Sequence, residues 1–86
     1  MSNTASVTAS ASSTSVFTIA DQSSGRTVFN DSAAVLYLKF GATASETDYT
    51  VQIPAGGFYE FPEPVFSGEV DGIWSSATGN ARTTRW

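Results

Sequence analysis

Ala34-Val-Leu-Tyr-Leu-Lys-Phe40 is the stretch whose reading decides the fold. In an extended chain, Leu36, Leu38 and Phe40 point to one face and Val35, Tyr37 and Lys39 to the other. A strand this apolar on both faces is expected at the centre of a sheet, covered on both sides. Downstream, Tyr49-Thr-Val-Gln-Ile53 alternates cleanly and predicts a strand with Tyr49, Val51 and Ile53 inward. Pro54 cannot donate to a further ladder, and Ala55-Gly-Gly57 turns the chain into Phe58-Tyr-Glu-Phe61, which Pro62 and Pro64 end. Val65-Phe66 with Gly68-Glu-Val-Asp-Gly-Ile-Trp74 predicts the next strand, and residues 80–86 the last. Upstream, strands are expected over 14–20 and 26–30, separated by the turn Asp21-Gln-Ser-Ser-Gly25 and followed by Asn30-Asp-Ser-Ala33.

Seven or eight short strands at spacings of roughly 8–12 residues predict an all-β fold, a small antiparallel β-sandwich or jelly-roll-like barrel. No stretch carries apolar residues at helical spacing over three turns. The expected core is Leu36, Leu38, Phe40, Val51, Ile53 and Trp74. Residues 14–86 are read as a single domain and residues 1–13 as an extended N-terminal arm. In that arm Val7, Ala9 and Ala11 alternate with Thr and Ser, too few and too small to anchor a free chain. The arm is therefore expected to be ordered by a neighbour.

A chain of 86 residues buries only about 60–65% of its unfolded surface, so its core is thin. It has no Cys and no His, which removes disulfides and the usual zinc, haem and iron–sulfur ligands. Self-association, as a dimer or trimer, or docking on a larger body is the remaining common remedy. The net charge is −4, and Arg26, Lys39, Arg82 and Arg85 are scattered along the chain. Binding nucleic acid takes clustered cations, so neither nucleic acid nor an anionic membrane is an expected partner. The first fifteen residues lack a basic segment followed by an apolar one, and the expectation is a product kept in the cytosol.

Candidate chemistry is sparse, and no catalytic residue, metal ligand or cofactor site is assigned. Without His the usual serine relay cannot be built. Lys39 could pair with a serine, but a mid-strand lysine beside Tyr37 reads as a surface residue. Glu60, Glu63, Glu69 and Asp71 could supply an acid/base pair, yet alternating carboxylates read first as a solvated strand face. Glu46 and Asp48 lack the donor run of a calcium loop. Asn30-Asp-Ser32 is a glycosylation sequon that matters only in a secreted protein. Aromatic residues stand out: Phe58, Tyr59, Phe61, Phe66, Trp74 and Trp86 crowd the last third. Most are expected in the core. Of the neighbours Phe58 and Tyr59 one must face outward, and exposed aromatics anchor contacts. The candidate interface residues are Val7, Ala9, Ala11, Phe58, Tyr59 and Trp86.

Three segments carry a resemblance: Asn30-Asp-Ser-Ala-Ala-Val-Leu-Tyr-Leu-Lys-Phe-Gly41, Ala55-Gly-Gly-Phe-Tyr-Glu-Phe-Pro62 and Gly68-Glu-Val-Asp-Gly-Ile-Trp-Ser-Ser-Ala-Thr-Gly79. Together they resemble small structural proteins of tailed-bacteriophage virions, over roughly residues 26–84. The chain departs from them at its Thr84-Arg85-Trp86 ending. The resemblance implies a non-enzymatic particle component assembled in the host cytoplasm. Its leading form is a capsid decoration, or cement, protein docked on the major capsid protein. A head–tail, tail-tip or head-fibre-base component is the alternative within that setting, and a carbohydrate-binding or adhesin-like module is the alternative outside it.

Overall fold

A computed structural model describes residues 3–19 and 24–86. Met1, Ser2, Ala20 and most of the turn expected over 21–25 lie outside the described residues. The strands are β1 (Asn3–Thr8), β2 (Thr14–Phe17), β3 (Arg26–Ser32), β4 (Leu36–Phe40), β5 (Val51–Ile53), β6 (Phe58–Glu60), β7 (Val70–Trp74) and β8 (Gly79–Arg85). They form two four-stranded sheets, ordered β1-β8-β3-β6 and β2-β7-β4-β5. Every strand pairing is antiparallel. The chain changes sheet at every connection except β4 to β5. That alternation is the strand order of a jelly roll, a β-sandwich closed by eight strands.

Alternation along each strand builds the core between the sheets. Leu36, Leu38, Val70 and Trp74 from one sheet meet Val28 and Ala81 from the other, none more than 1% exposed. Val16 and Phe17 are consecutive yet both buried. A regular strand could not bury both, and the register slips between Ser15 and Phe17, a bulge that turns both inward. Gly72 makes the close approach possible: a Cβ there would stand 2.9 Å from Leu36 Cδ1 and 3.1 Å from Val16 Cγ2. Gly79 opens β8 at φ 95°, where a Cβ would lie 2.7 Å from the Asp31 carbonyl oxygen.

Several expectations are corrected. The 34–40 strand is central, but only its Leu face is covered by the other sheet; Tyr37 and Lys39 are half-buried on the outside. Its ladder starts at Leu36 because the Ala34 carbonyl accepts Asn30 Nδ2 and Ser32 Oγ. Phe40 and Val51 are half-buried. Tyr49 is outside the sandwich, 37% exposed, its ring 5.1 Å from that of Tyr37. The cause is Thr50, whose hydroxyl accepts the Phe40 amide at 2.9 Å and so replaces a rung of the ladder. Val65 and Phe66 are in a loop, because the carbonyls of 66–68 face a side chain, described below.

Leu38→Ala removes a fully buried side chain at the sheet centre and should cost about 2–5 kcal/mol, much of the stability of a domain this size. Urea unfolding of the two proteins measures this. A cost near zero would show that the core is not seated on Leu38.

Candidate functional site: the outer sheet face and its supports

The inward face of β3 carries Arg26, Val28 and Asn30, all fully buried. Asn30 is a hub. Its Nδ2 donates to the carbonyls of Ala34 (2.8 Å), Ile53 (2.9 Å) and Pro54 (3.1 Å). Its Oδ1 accepts Trp74 Nε1 at 3.1 Å and Ser32 Oγ at 2.7 Å. Its main chain also holds the turn, taking Gly57 O and Gly56 N as partners. An amide so engaged cannot meet a glycosyltransferase in the folded protein, so the sequon reading of 30–32 gives way to a structural one.

Arg26 sits four residues earlier on the same face. Its guanidinium donates to the carbonyls of Phe66 (2.8 Å), Gly68 (3.0 Å), Ser67 (3.2 Å) and Thr18 (3.3 Å). It lies 4.7 Å from the Phe17 ring centroid and 5.9 Å from that of Phe61. One of the four cations scattered along the chain is therefore an interior tie. Beside it Phe40 stacks on Phe61 at 4.8 Å and on Phe66 at 5.0 Å, with Tyr59 at the margin.

Held by these ties, the β1-β8-β3-β6 sheet turns its opposite side outward, with Thr27 the buried member of that side. Its rows follow from the register: Thr4, Thr84, Thr27 and Glu60; then Ser6, Arg82, Phe29 and Phe58; then Thr8, Asn80 and Asp31. Phe29 and Phe58 are cross-strand partners, 38% and 64% exposed. Arg82 Nε and Asp31 Oδ2 pair at 2.9 Å beside them. The face is thus hydroxyl-rich and nearly neutral, with an aromatic corner.

The six candidate interface residues do not share one surface. Phe58 lies on the outer face, and its neighbour Tyr59 faces inward toward Phe40 and Phe61. Ala9 is buried in the core, Val7 packs against it, and Ala11 is exposed in the following turn. Trp86 is 46% exposed at one end of the sandwich, where its main chain pairs with Gly25 and its ring covers that glycine. Residues 3–8 of the segment read as an arm lie along β8 in an unbroken register from Asn3↔Arg85 to Thr8↔Asn80. Its neighbour is its own chain. Phe29, Asn30 and Arg26 were missed; the inward parity of 26, 28 and 30 was readable, but which polar residues would find partners was not.

Of the candidate carboxylates the fold sets Glu69 beside Asp71 and places the others apart from them. Asp48 pairs with Lys39 at 2.7 Å, and Glu60 lies exposed on the outer face. Asp71 Oδ2 accepts the Thr43 amide (2.8 Å) and Ser13 Oγ (3.1 Å), while Ser13 Oγ accepts the Ala44 amide. This network staples the 41–45 loop to β7 and holds Thr43 at φ 62°. Burial pushes the Asp71 carboxyl up, but hydrogen bonds with Glu69, the Thr43 amide and Ser13, and the Lys39 charge, together hold it below its ordinary value. A carboxyl held down in this way is a poor general acid at neutral pH.

Two variants test these supports. Asn30→Asp aims a carboxylate at three carbonyls and should cost at least about 3 kcal/mol, read by urea unfolding; tolerance of Asp would show that the hub is dispensable. For Asp71 the folded pKa lies below the unfolded one, so its stabilisation is present above about pH 4 and lost as pH falls through the folded value. Asp71→Asn should therefore be less stable than the parent at neutral pH, with the gap closing in acid. Melting curves across that range decide it, and a gap independent of pH would remove Asp71 from the account.

Compared with protein-family models, with curated proteins and with solved structures, the chain matches none.

Proposed function

We propose that this chain is a non-enzymatic structural component of a tailed-bacteriophage particle, a decoration protein that docks on the major capsid protein and reinforces the head. The observation that carries this reading is the near-neutral outer face with Phe29 and Phe58 side by side and exposed. Exposed aromatics on the outer side of a sheet are the kind of residue that anchors a protein contact. The resemblance to virion proteins points the same way. Its segments supply Asn30, Leu36, Leu38, Gly72 and Trp74, which are part of this fold's interior. Jelly rolls occur in viral capsid and lectin domains, a fold-level analogy that fits the reading without assigning a site. Docking would also stabilise a thin core by mass action on the folded form.

A second reading, a carbohydrate-binding module, is favoured by the same aromatic pair set among Thr, Ser and Asn hydroxyls and amides, since sugars stack on rings and bond to such groups. Head–tail or tail-tip placement is the alternative within the particle.

The test adds purified protein to particles lacking the gene product and measures occupancy by electron microscopy. Phe58→Ala should fold normally, because the ring is mostly in water, yet lose occupancy by about tenfold or more. Undiminished occupancy would move the contact off this face. Binding on a glycan array that Phe58→Ala abolishes, with no binding to particles, would replace the capsid reading by the carbohydrate one.

A further inference from the structure

The two sheets have four edges, and three are blunted. β5 and β6 are three residues long, the first stopped by Pro54 and the second followed by Pro62 two residues on. β2 is four residues long and bulged. Short length, proline and bulges are the usual means of preventing edge pairing. β1 has none of them: six residues, regular register, no charge, no proline. Among the described residues nothing pairs with its outer side.

The direction of its main-chain groups is set by the pairing with β8. The Ala9 amide donates to Gly79 O, so by alternation residues 3, 5 and 7 turn their polar groups to β8. Thr4, Ser6 and Thr8 then aim N–H and C=O at the open edge. Those three residues, Thr-x-Ser-x-Thr, read the same in both directions about Ser6. We infer that β1 is a homotypic interface: two copies of this chain pair β1 with β1 antiparallel about a two-fold axis through Ser6, merging two four-stranded sheets into one of eight.

In that register Thr4 faces Thr8 of the partner copy and Ser6 faces its own equivalent, each pair exchanging two main-chain hydrogen bonds. Hydroxyl meets hydroxyl on the outer face, and Ala5 meets Val7 on the inner face, pairings that favour association across strands. A two-fold contact sets the residue on its axis against its own copy and repeats every other pairing, so a charge near the axis would lie close to its like; no Asp, Glu, Lys or Arg is on β1. The inner side of this edge is also unfinished. Ala5 points inward but is exposed, beside a groove walled by Val16, Phe17 and Thr83 that β2 is too short to cover. The inference does not depend on the particle reading.

The experiment is sedimentation of the intact chain over a wide concentration range. The expected result is a reversible dimer. Ser6→Pro deletes the central outward N–H but no bond to β8, and Ser6→Lys sets two ammonium groups on the axis; both should abolish the dimer while far-UV spectra and melting stay close to the parent. Should Ser6→Pro fail to fold, Ser6→Lys decides alone. Ser6→Cys gives the chain its only thiol, at a Cα separation of about 5.5 Å from its equivalent, within disulfide reach. It should cross-link rapidly on mild oxidation, whereas Ser76→Cys, exposed in the 75–78 loop, should not. A monomer at every concentration overturns the inference. So does a dimer that survives both Ser6 substitutions, which would place the contact on the Phe58 face.

Discussion

The hydrogen bond from Trp74 Nε1 to Asn30 Oδ1 joins the two sheets through the middle of the molecule, and much of the architecture follows from it. A buried amide is tolerable only with its donors and acceptors used, and here the demand recruits three carbonyls from two further segments. That demand delays the start of β4, seats the end of β5 and closes the 54–57 turn. A purely apolar residue at the same place would pack, but it would leave these carbonyls and the indole N–H without partners in the interior. The hub therefore selects one arrangement of turns from the many that a thin β core would accept.

Arg26 performs the corresponding task at the other end of the same strand face. A guanidinium offers five donors in a fixed fork, and it satisfies carbonyls in a segment where Pro62 and Pro64 remove amide donors and no ladder forms. Its flat face meanwhile packs on the rings of Phe17 and Phe61. The aromatic stack of Phe40, Phe61 and Phe66 continues from that point, so the region richest in aromatics is an interior assembled around a cation. In an 86-residue chain without disulfides, two buried polar ties four residues apart on one strand provide the rigidity that covalent links supply elsewhere.

The exterior follows from how the interior is used. With Arg26 buried, Lys39 paired to Asp48 and Arg82 paired to Asp31, the surface is acidic in total but has neutral, hydroxyl-rich stretches. Two of them, the outer face around Phe29 and Phe58 and the edge along β1, belong to the same sheet. On the proposed reading, the chain would contact both its own copies and a different protein. An edge and a face of one sheet would serve those two contacts with separate surfaces.

Alternation, turn residues and the absence of helical periodicity were enough to read the all-β class from the chain, along with Leu36, Leu38, Ile53 and Trp74 in the core and the opposed faces of Phe58 and Tyr59. These are local properties: a period of two and the refusal of Pro and Gly to continue a ladder act within a few residues. The placement of Tyr49 outside, the bulge burying Val16 with Phe17, and the pairing of residues 3–8 with β8 were not legible, because each depends on a partner some ten to eighty residues away. The same holds for Arg26 and Asn30, which look like surface residues in sequence. Whether a polar side chain can be buried depends on carbonyls brought to it from other strands, and that is decided only when the two sheets close.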